Sequence, residues 1–226
     1  MAIDEKIYLR YMKDGIPVFR VYSWQAPSFT YGVSQKPARE LDINQCLKDG
    51  VNVIKRITGG GILFHNHEIT YSFTCSKDDI GEEKDVFVSY RKICAFLISF
   101  YESLGLKPYF ACEAVDFVDR SAAHPLCSAS REKYDIVING KKIGGNAQKR
   151  NRQAVFQHGS IPIKLDWELM RKYLRFLPAE VPLSTTALNE ELKNLPDKKI
   201  LEQKLIDALA RTFNFSFMEE GEPLSL

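Results

Sequence analysis

The 226-residue chain has no apolar run long enough to cross a bilayer. Its nearest candidate, LISFYESLGL at 97–106, is interrupted by Glu102, whereas a spanning helix needs about 20 apolar residues. Met1 is followed at once by acidic residues and by no apolar segment, so no signal peptide is expected. Cysteine is scarce. Cys46, Cys75, Cys94, Cys112 and Cys127 are odd in number and have no CxxC spacing, which argues against a disulfide framework or a zinc site and for reduced thiols in a cytoplasm. An excess of one charge is missing too: 31 Lys and Arg against 29 Asp and Glu leave +2, too little to argue for nucleic acid or a membrane surface as partner. Linkers rich in Pro, Gly or Ser, internal repeats and low-complexity tracts are absent, so residues 1–226 read as a single domain.

What is present is an ordinary globular composition, 45% hydrophobic and 27% charged. Residues 1–13 read as a helix, 16–24 and 27–32 as strands, and 41–50 as a short helix stopped by Gly50. Three strand candidates, 51–58, 62–65 and 68–75, surround a glycine triplet. From Asp85, a candidate N-cap, Val86, Tyr90, Ile93, Leu97, Tyr101 and Leu104 recur at helical steps until Gly105. Residues 107–118 and 154–163 read as strands, and YDIVINGKKI at 134–143 as a hairpin turning at Asn139-Gly140. Segments 167–174 and 198–214 are helical, which makes the C-terminal part from about 166 helical. The pattern predicts an α+β fold, a mixed and mainly antiparallel sheet packed with helices.

The hairpin sets the geometry of one candidate site. A two-residue turn opposes Val137 to Lys142, and alternation puts Tyr134, Ile136, Ile138 and Ile143 on one face with Lys142, Asp135 and Val137 on the other. A lysine there is either solvated or beside a ligand. Gly144 and Gly145, which follow, permit close approach to the backbone and favour the ligand. Cys127 lies in a polar loop near Lys and Arg; it is either a loop thiol or a nucleophile. The triplet Gly59, Gly60 and Gly61 has neither the ending of a P-loop nor the setting of a dinucleotide fingerprint. It reads as a turn, or as a backbone bend offering N–H groups to a ligand with Arg56 adding charge. His65 and His67 alternate in HNHE without a third ligand at regular spacing, so no metal is expected. His158, beside Gly159, reads as a buried, hydrogen-bonded histidine, and Cys46, Cys75, Cys94 and Cys112 read as core-facing.

KRITGGGILFHNHEITYS (55–72) resembles the signature R-R-x-T-G-G-x-x-x-x-H-D-x-E-L-T-Y-S of the lipoate–protein ligase, octanoyltransferase and biotin–protein ligase superfamily. YDIVINGKKIGGNAQKRNRQAVFQHGSI (134–161) resembles its second block, and residues 1–35 its N-terminal helix and first strands. The match runs in order through most of residues 1–165. Within the superfamily the LipM-type octanoyltransferases are most similar: Cys127 stands seven residues ahead of Tyr134 and fifteen ahead of Lys142, as in that branch. Three positions depart from the pattern. Gly61 stands where transferases commonly have Arg and leans toward the ligases, Asn66 replaces Asp, and Asn146 replaces Ser.

The resemblance implies an octanoyltransferase of lipoate biosynthesis with Cys127 and Lys142 catalytic. Arg56, Gly59, Gly60, Gly61, His65, Gly144, Gly145, Gln148 and His158 are then the substrate-binding set. Octanoyl would pass from an acyl carrier protein to Cys127, then to a lysine of a lipoyl domain or glycine-cleavage H protein. No cofactor or metal is expected on this reading. The alternatives are a lipoate–protein ligase using ATP and Mg, and a lipoyl amidotransferase. Backbone N–H groups around Gly144 and Gly145 are expected at the oxyanion, and the acyl tunnel is expected to have apolar walls. The protein is expected to be a cytoplasmic monomer.

Overall fold

The computed structural model describes residues 1–81, 86–115, 117 and 132–218. Helix α1 (Ala2–Asp14) leads into strands β1 (Val18–Tyr22) and β2 (Ser28–Tyr31), then α2 (Ile43–Lys48), β3 (Asn52–Lys55), β4 (Leu63–His65) and β5 (His67–Cys75). Helix α3 (Val86–Ser103) and the two-residue strand β6 (Tyr109–Phe110) follow. Next come the hairpin β7 (Ile136–Ile138) and β8 (Lys141–Ile143), and strands β9 (Gly145–Arg150) and β10 (Val155–Lys164). The chain continues through α4 (Trp167–Arg171), α5 (Glu180–Ser184), β11 (Thr185–Thr186), α6 (Leu188–Glu191) and α7 (Lys198–Phe213). Among the described residues, no helix is long and apolar enough to cross a membrane.

The strands form three sheets. The largest is antiparallel in the order β1-β5-β10-β9, with β9 at its edge. Alternation along β5 turns Ile69, Tyr71, Phe73 and Cys75 toward α3 and α7, where they share a core with Ile93, Phe96, Phe100, Leu201, Leu205 and Leu209. Burying each such large side chain stabilises by about 1.5–3 kcal/mol relative to exposure. The opposite face of β5 is polar yet buried, carrying Glu68, Thr70, Ser72 and Thr74. The second sheet, β11-β8-β7-β6, carries Lys142, and the third, β3-β2-β4, carries His65. A second core of Phe29, Leu41, Cys46, Val51, Ile62, Met170 and Tyr173 holds the third sheet to α2 and α4. Asp42 and Asp166 cap those short helices by accepting from the Gln45 and Leu169 N–H groups.

The hairpin has the predicted register, Val137 opposite Lys142 and Ile138 opposite Lys141. Asn139 (φ 49°) and Gly140 (φ 80°) both adopt the left-handed backbone that such a two-residue turn requires. Several expectations are corrected. The strand read over 107–118 is two residues long: from Ala111 the chain tightens into a 3-10 turn, with the Glu113 carboxylate accepting the Phe110 N–H. Cys112 is consequently exposed, whereas Cys46, Cys75 and Cys94 are buried as expected. Strand β9 was not anticipated, because GNAQKR has no β-branched or aromatic residue to signal it. The part from 166 is not wholly helical, since β11 pairs in parallel with β8. The candidate N-cap Asp85 lies outside the described residues.

Gly144 is constrained by the fold itself. Its φ is +72°, and a Cβ there would stand 2.3 Å from the Ser160 carbonyl oxygen. The close approach that the glycine permits is thus made by β10. Gly144→Ala is expected to destabilise by more than the ~1–2 kcal/mol of the left-handed backbone alone. Gly140→Ala, with nothing within 4 Å of the added carbon, should carry only that backbone cost. Urea midpoints of the two variants check the difference.

Candidate active site

The glycine triplet is held by a buried cation. Arg56, 5% exposed, follows β3 and donates from Nη1 to Thr30 Oγ1 at 2.9 Å. Its Nη2 donates to the Gly59 carbonyl at 3.0 Å and the Gly61 carbonyl at 2.7 Å. The planar guanidinium fork suits several fixed acceptors at once. The turn therefore directs two of its carbonyls at Arg56, and Gly59 and Gly60 line a cleft.

His65 lies under the same cleft. Its ring stacks on Trp24 with centroids 4.4 Å apart, Nε2 is 2.6 Å from Thr30 Oγ1, and Nδ1 is 2.6 Å from Glu68 Oε1. The Glu68 carboxylate can only accept, so Nδ1 carries the proton that faces it, while Nε2 pairs with the Thr30 hydroxyl. The Thr70 and Ser160 hydroxyls also donate to the Glu68 carboxylate. Burial pushes the Glu68 carboxyl upward, but the adjoining His65 and the Ser160 and Thr70 hydrogen bonds hold it below its ordinary value. His67 begins the next strand and is exposed, so HNHE does not converge on a metal. Among the described residues no three His, Cys, Asp or Glu side chains do.

His158 is buried on β10 and bonds Thr58 Oγ1 through Nε2 at 2.7 Å. Burial, reinforced by the Arg56 charge, lowers it to about 3. It is a neutral imidazole near neutral pH, as the buried reading expects.

Lys142 is 6% exposed, and its Nζ lies 2.8 Å from Asp135 Oδ2. The same oxygen accepts the Glu132 N–H at 2.7 Å. The cleft that joins these groups encloses about 820 Å³, open to solvent. It brings together Arg56, Gly59, Gly60, His65, Lys142, Gly145, Gln148 and His158. Two of the expected site residues are not part of it. Gly61 contributes its carbonyl to Arg56, and Gly144 lines a small neighbouring pocket that shares Leu63 and Lys142 with the cleft. The expected apolar walls are only partly present: Leu63, Tyr90 and Ala147 alternate with polar and charged groups. Cys127 lies outside the described residues, which resume at the cleft-lining Glu132. The sequence reading placed Asp135 beside Lys142 but did not count it in the site. It missed Thr30 and Thr58, whose partners lie far away in the chain, and Glu68, which meets His65 three residues back and Ser160 from β10. Because β9 is an edge strand, residues from both of its faces reach the cleft, including Asn146.

The cleft thus combines a buried cation under a glycine turn with a buried lysine on a hairpin. Residues 1–214 match the family model of the lipoyl protein ligase A/B catalytic domain, and the chain belongs to that family. Octanoyltransferase LipM of Kyrpidia tusciae is 32% identical over 230 residues, covering 99% of this chain and 84% of that protein. Octanoyltransferase LipM of Clostridioides difficile is 29% identical over 228 residues, covering 97% and 84%. Among solved structures, lipoate-protein ligase A bound with ATP aligns with a TM-score of 0.79 at 22% identity, covering 97% of this chain and 81% of that one. The bi-partite lipoate protein ligase of Thermoplasma acidophilum aligns at 0.74 and 19% identity, covering 97% and 80%. These structures share the fold.

His158 sets an acid-sensitivity. Its folded-state value of about 3 lies below the ordinary 6.5, so the unfolded chain binds the extra proton between those limits. The stability it contributes is complete above about 6.5 and is lost as pH falls toward about 3. His158→Gln should therefore show a smaller drop in urea midpoint between pH 7 and pH 4.5 than the unsubstituted protein.

Proposed function

We propose that the protein transfers octanoyl from the pantetheine thioester of an acyl carrier protein to a lysine of a lipoyl domain or glycine-cleavage H protein. The transfer runs through a thioester on Cys127. The carrying observation is the buried, carboxylate-paired Lys142 in a cleft bounded by the glycine turn and by Gly145. Glu132, five residues after Cys127, lines the same cleft. The similarity to octanoyltransferases over nearly the whole chain supports the reaction class.

In the first step Cys127 gives up its proton and its sulfur adds to the thioester carbonyl. The carrier's C–S bond breaks, and the departing thiolate takes up a proton. In the second step the acceptor's ε-amine adds to the enzyme thioester, the bond to Cys127 breaks, and loss of the amine proton leaves an amide. Exchange of one thioester for another is near balance, so no ATP is consumed. Lys142, oriented by Asp135, lowers the thiol's pKa and faces the oxygen on which charge develops. The neighbouring cavity, which also reaches Lys142, gives the leaving group a place.

The third glycine, Gly61, also suits a second reading in which ATP activates lipoate and the leaving group is a nucleotide. Intact-protein mass after incubation with octanoyl-carrier protein and no ATP separates the two. The transferase gains one octanoyl, Cys127→Ala gains none, and Lys142→Met is acylated roughly 10²–10³-fold more slowly. An unmodified protein that attaches lipoate only with ATP, and does so equally well as Cys127→Ala, sinks the transferase reading.

A further inference from the structure

The cleft residue with no role so far is Asn146, and a one-way chain of hydrogen bonds ends on it. Arg150 Nε can only donate, and it donates to Gln148 Oε1 at 2.7 Å. That fixes the Gln148 amide, whose Nε2 donates to Gln157 Oε1. The Cys94 thiol donates to the same oxygen at 3.7 Å. Gln157 Nε2 then donates to the Tyr71 hydroxyl oxygen at 2.8 Å, and the Tyr71 proton goes to Asn146 Oδ1 at 2.7 Å. Burial pushes the Tyr71 hydroxyl well above its ordinary value and the Cys94 thiol to about 12, so both stay protonated donors.

Polarity therefore runs from a guanidinium that cannot accept to an amide whose oxygen is already engaged. What remains of Asn146 is Nδ2 with its two N–H donors, for which no described residue supplies an acceptor. Asn146 lines the cleft together with Lys142 and Gly145. Gly159 keeps the last link open. It stands in register with Tyr71 on one side and Asn146 on the other. A Cβ there would lie 2.1 Å from Asn146 Oδ1 and 2.6 Å from Tyr71 Cε1. A serine hydroxyl, which the resembled sequences carry at this position, would rotate; the amide held by Tyr71 does not.

We propose that Asn146 Nδ2 donates a hydrogen bond to the carbonyl oxygen of the bound acyl group, with Tyr71 and Gly159 as residues that position it. The identity of the acyl group rests on the octanoyl reading; the orientation of the amide does not. Asn146 thereby supplies a donor that strengthens as the carbonyl becomes an oxyanion.

The test uses two unreactive analogues of octanoyl-pantetheine: a ketone with CH₂ in place of sulfur, and a thioether with CH₂ in place of the carbonyl. Titration calorimetry should show the unsubstituted protein preferring the ketone about tenfold. In Asn146→Leu that preference should fall to within about twofold. Asn146→Asp, which keeps the shape and the Tyr71 bond but removes the donors, should lose it as well. Tyr71→Phe should bind the thioether unchanged and keep roughly a third of the preference. Thermal midpoints confirm that each variant is folded. An undiminished preference in both Asn146 variants, or none in the unsubstituted protein, overturns the inference. If Cys127 is acylated by the carrier yet the ketone is not preferred, the inference falls and the transferase reading stands. If Cys127 is not acylated but the preference exists and depends on Asn146, the inference stands and the transferase reading falls.

Discussion

The guanidinium of Arg56 is the constraint on which the site is built. It is buried, and a buried charge is costly unless acceptors surround it. Thr30 on β2 and the carbonyls of Gly59 and Gly61 supply them, so the cation, the turn and the strand become one rigid unit. The consequences spread from there. Thr30, held by Arg56, pairs with His65, which aims its Nδ1 proton at Glu68. The same positive charge helps keep His158 neutral. One side chain thus orders the turn, anchors the partner of one histidine and helps keep another neutral.

The two buried cations of the cleft are answered in different ways. Arg56 donates to neutral carbonyls and a hydroxyl beneath the glycine turn. Lys142 meets the Asp135 carboxylate, which fixes its position at the cost of part of its field. The cleft therefore holds two buried cations, one beneath the glycine turn and one held by its carboxylate on the hairpin. A reaction that builds negative charge on one oxygen and then discharges it suits that pairing.

Much of this was legible in the sequence where local rules govern. The Asn139-Gly140 turn fixed the hairpin register and hence the face of Lys142, and the helical periodicity of α3 and α7 marked the core they share. The family resemblance picked out Arg56, His65, Gly145, Gln148 and His158, all of which line the cleft. What the sequence hid was set by contacts far apart along the chain. β9 forms because β10 offers it an edge, not because its own residues favour a strand. Gly144 looked like room for a ligand, and the room is filled by the Ser160 carbonyl. Cys112 looked like a core residue until a turn closed by Glu113 ended its strand early. Thr58 and Glu68 stand inside the resembled signature, but their roles do not: Thr58 meets His158 and Glu68 meets Ser160 only after the sheets assemble.

The parallel pairing of β11 with β8 changes what counts as the catalytic unit. Every motif by which the site can be recognised lies before residue 165. Yet the strand bearing Lys142 is paired on its outer side with Thr185 and Thr186, and Leu188 just beyond them is fully buried in the main core. The motif inventory and the working machine are therefore of different lengths. Tail residues outside the two sequence blocks pair with the strand that bears the lysine, so part of its support comes from a stretch that those blocks do not include.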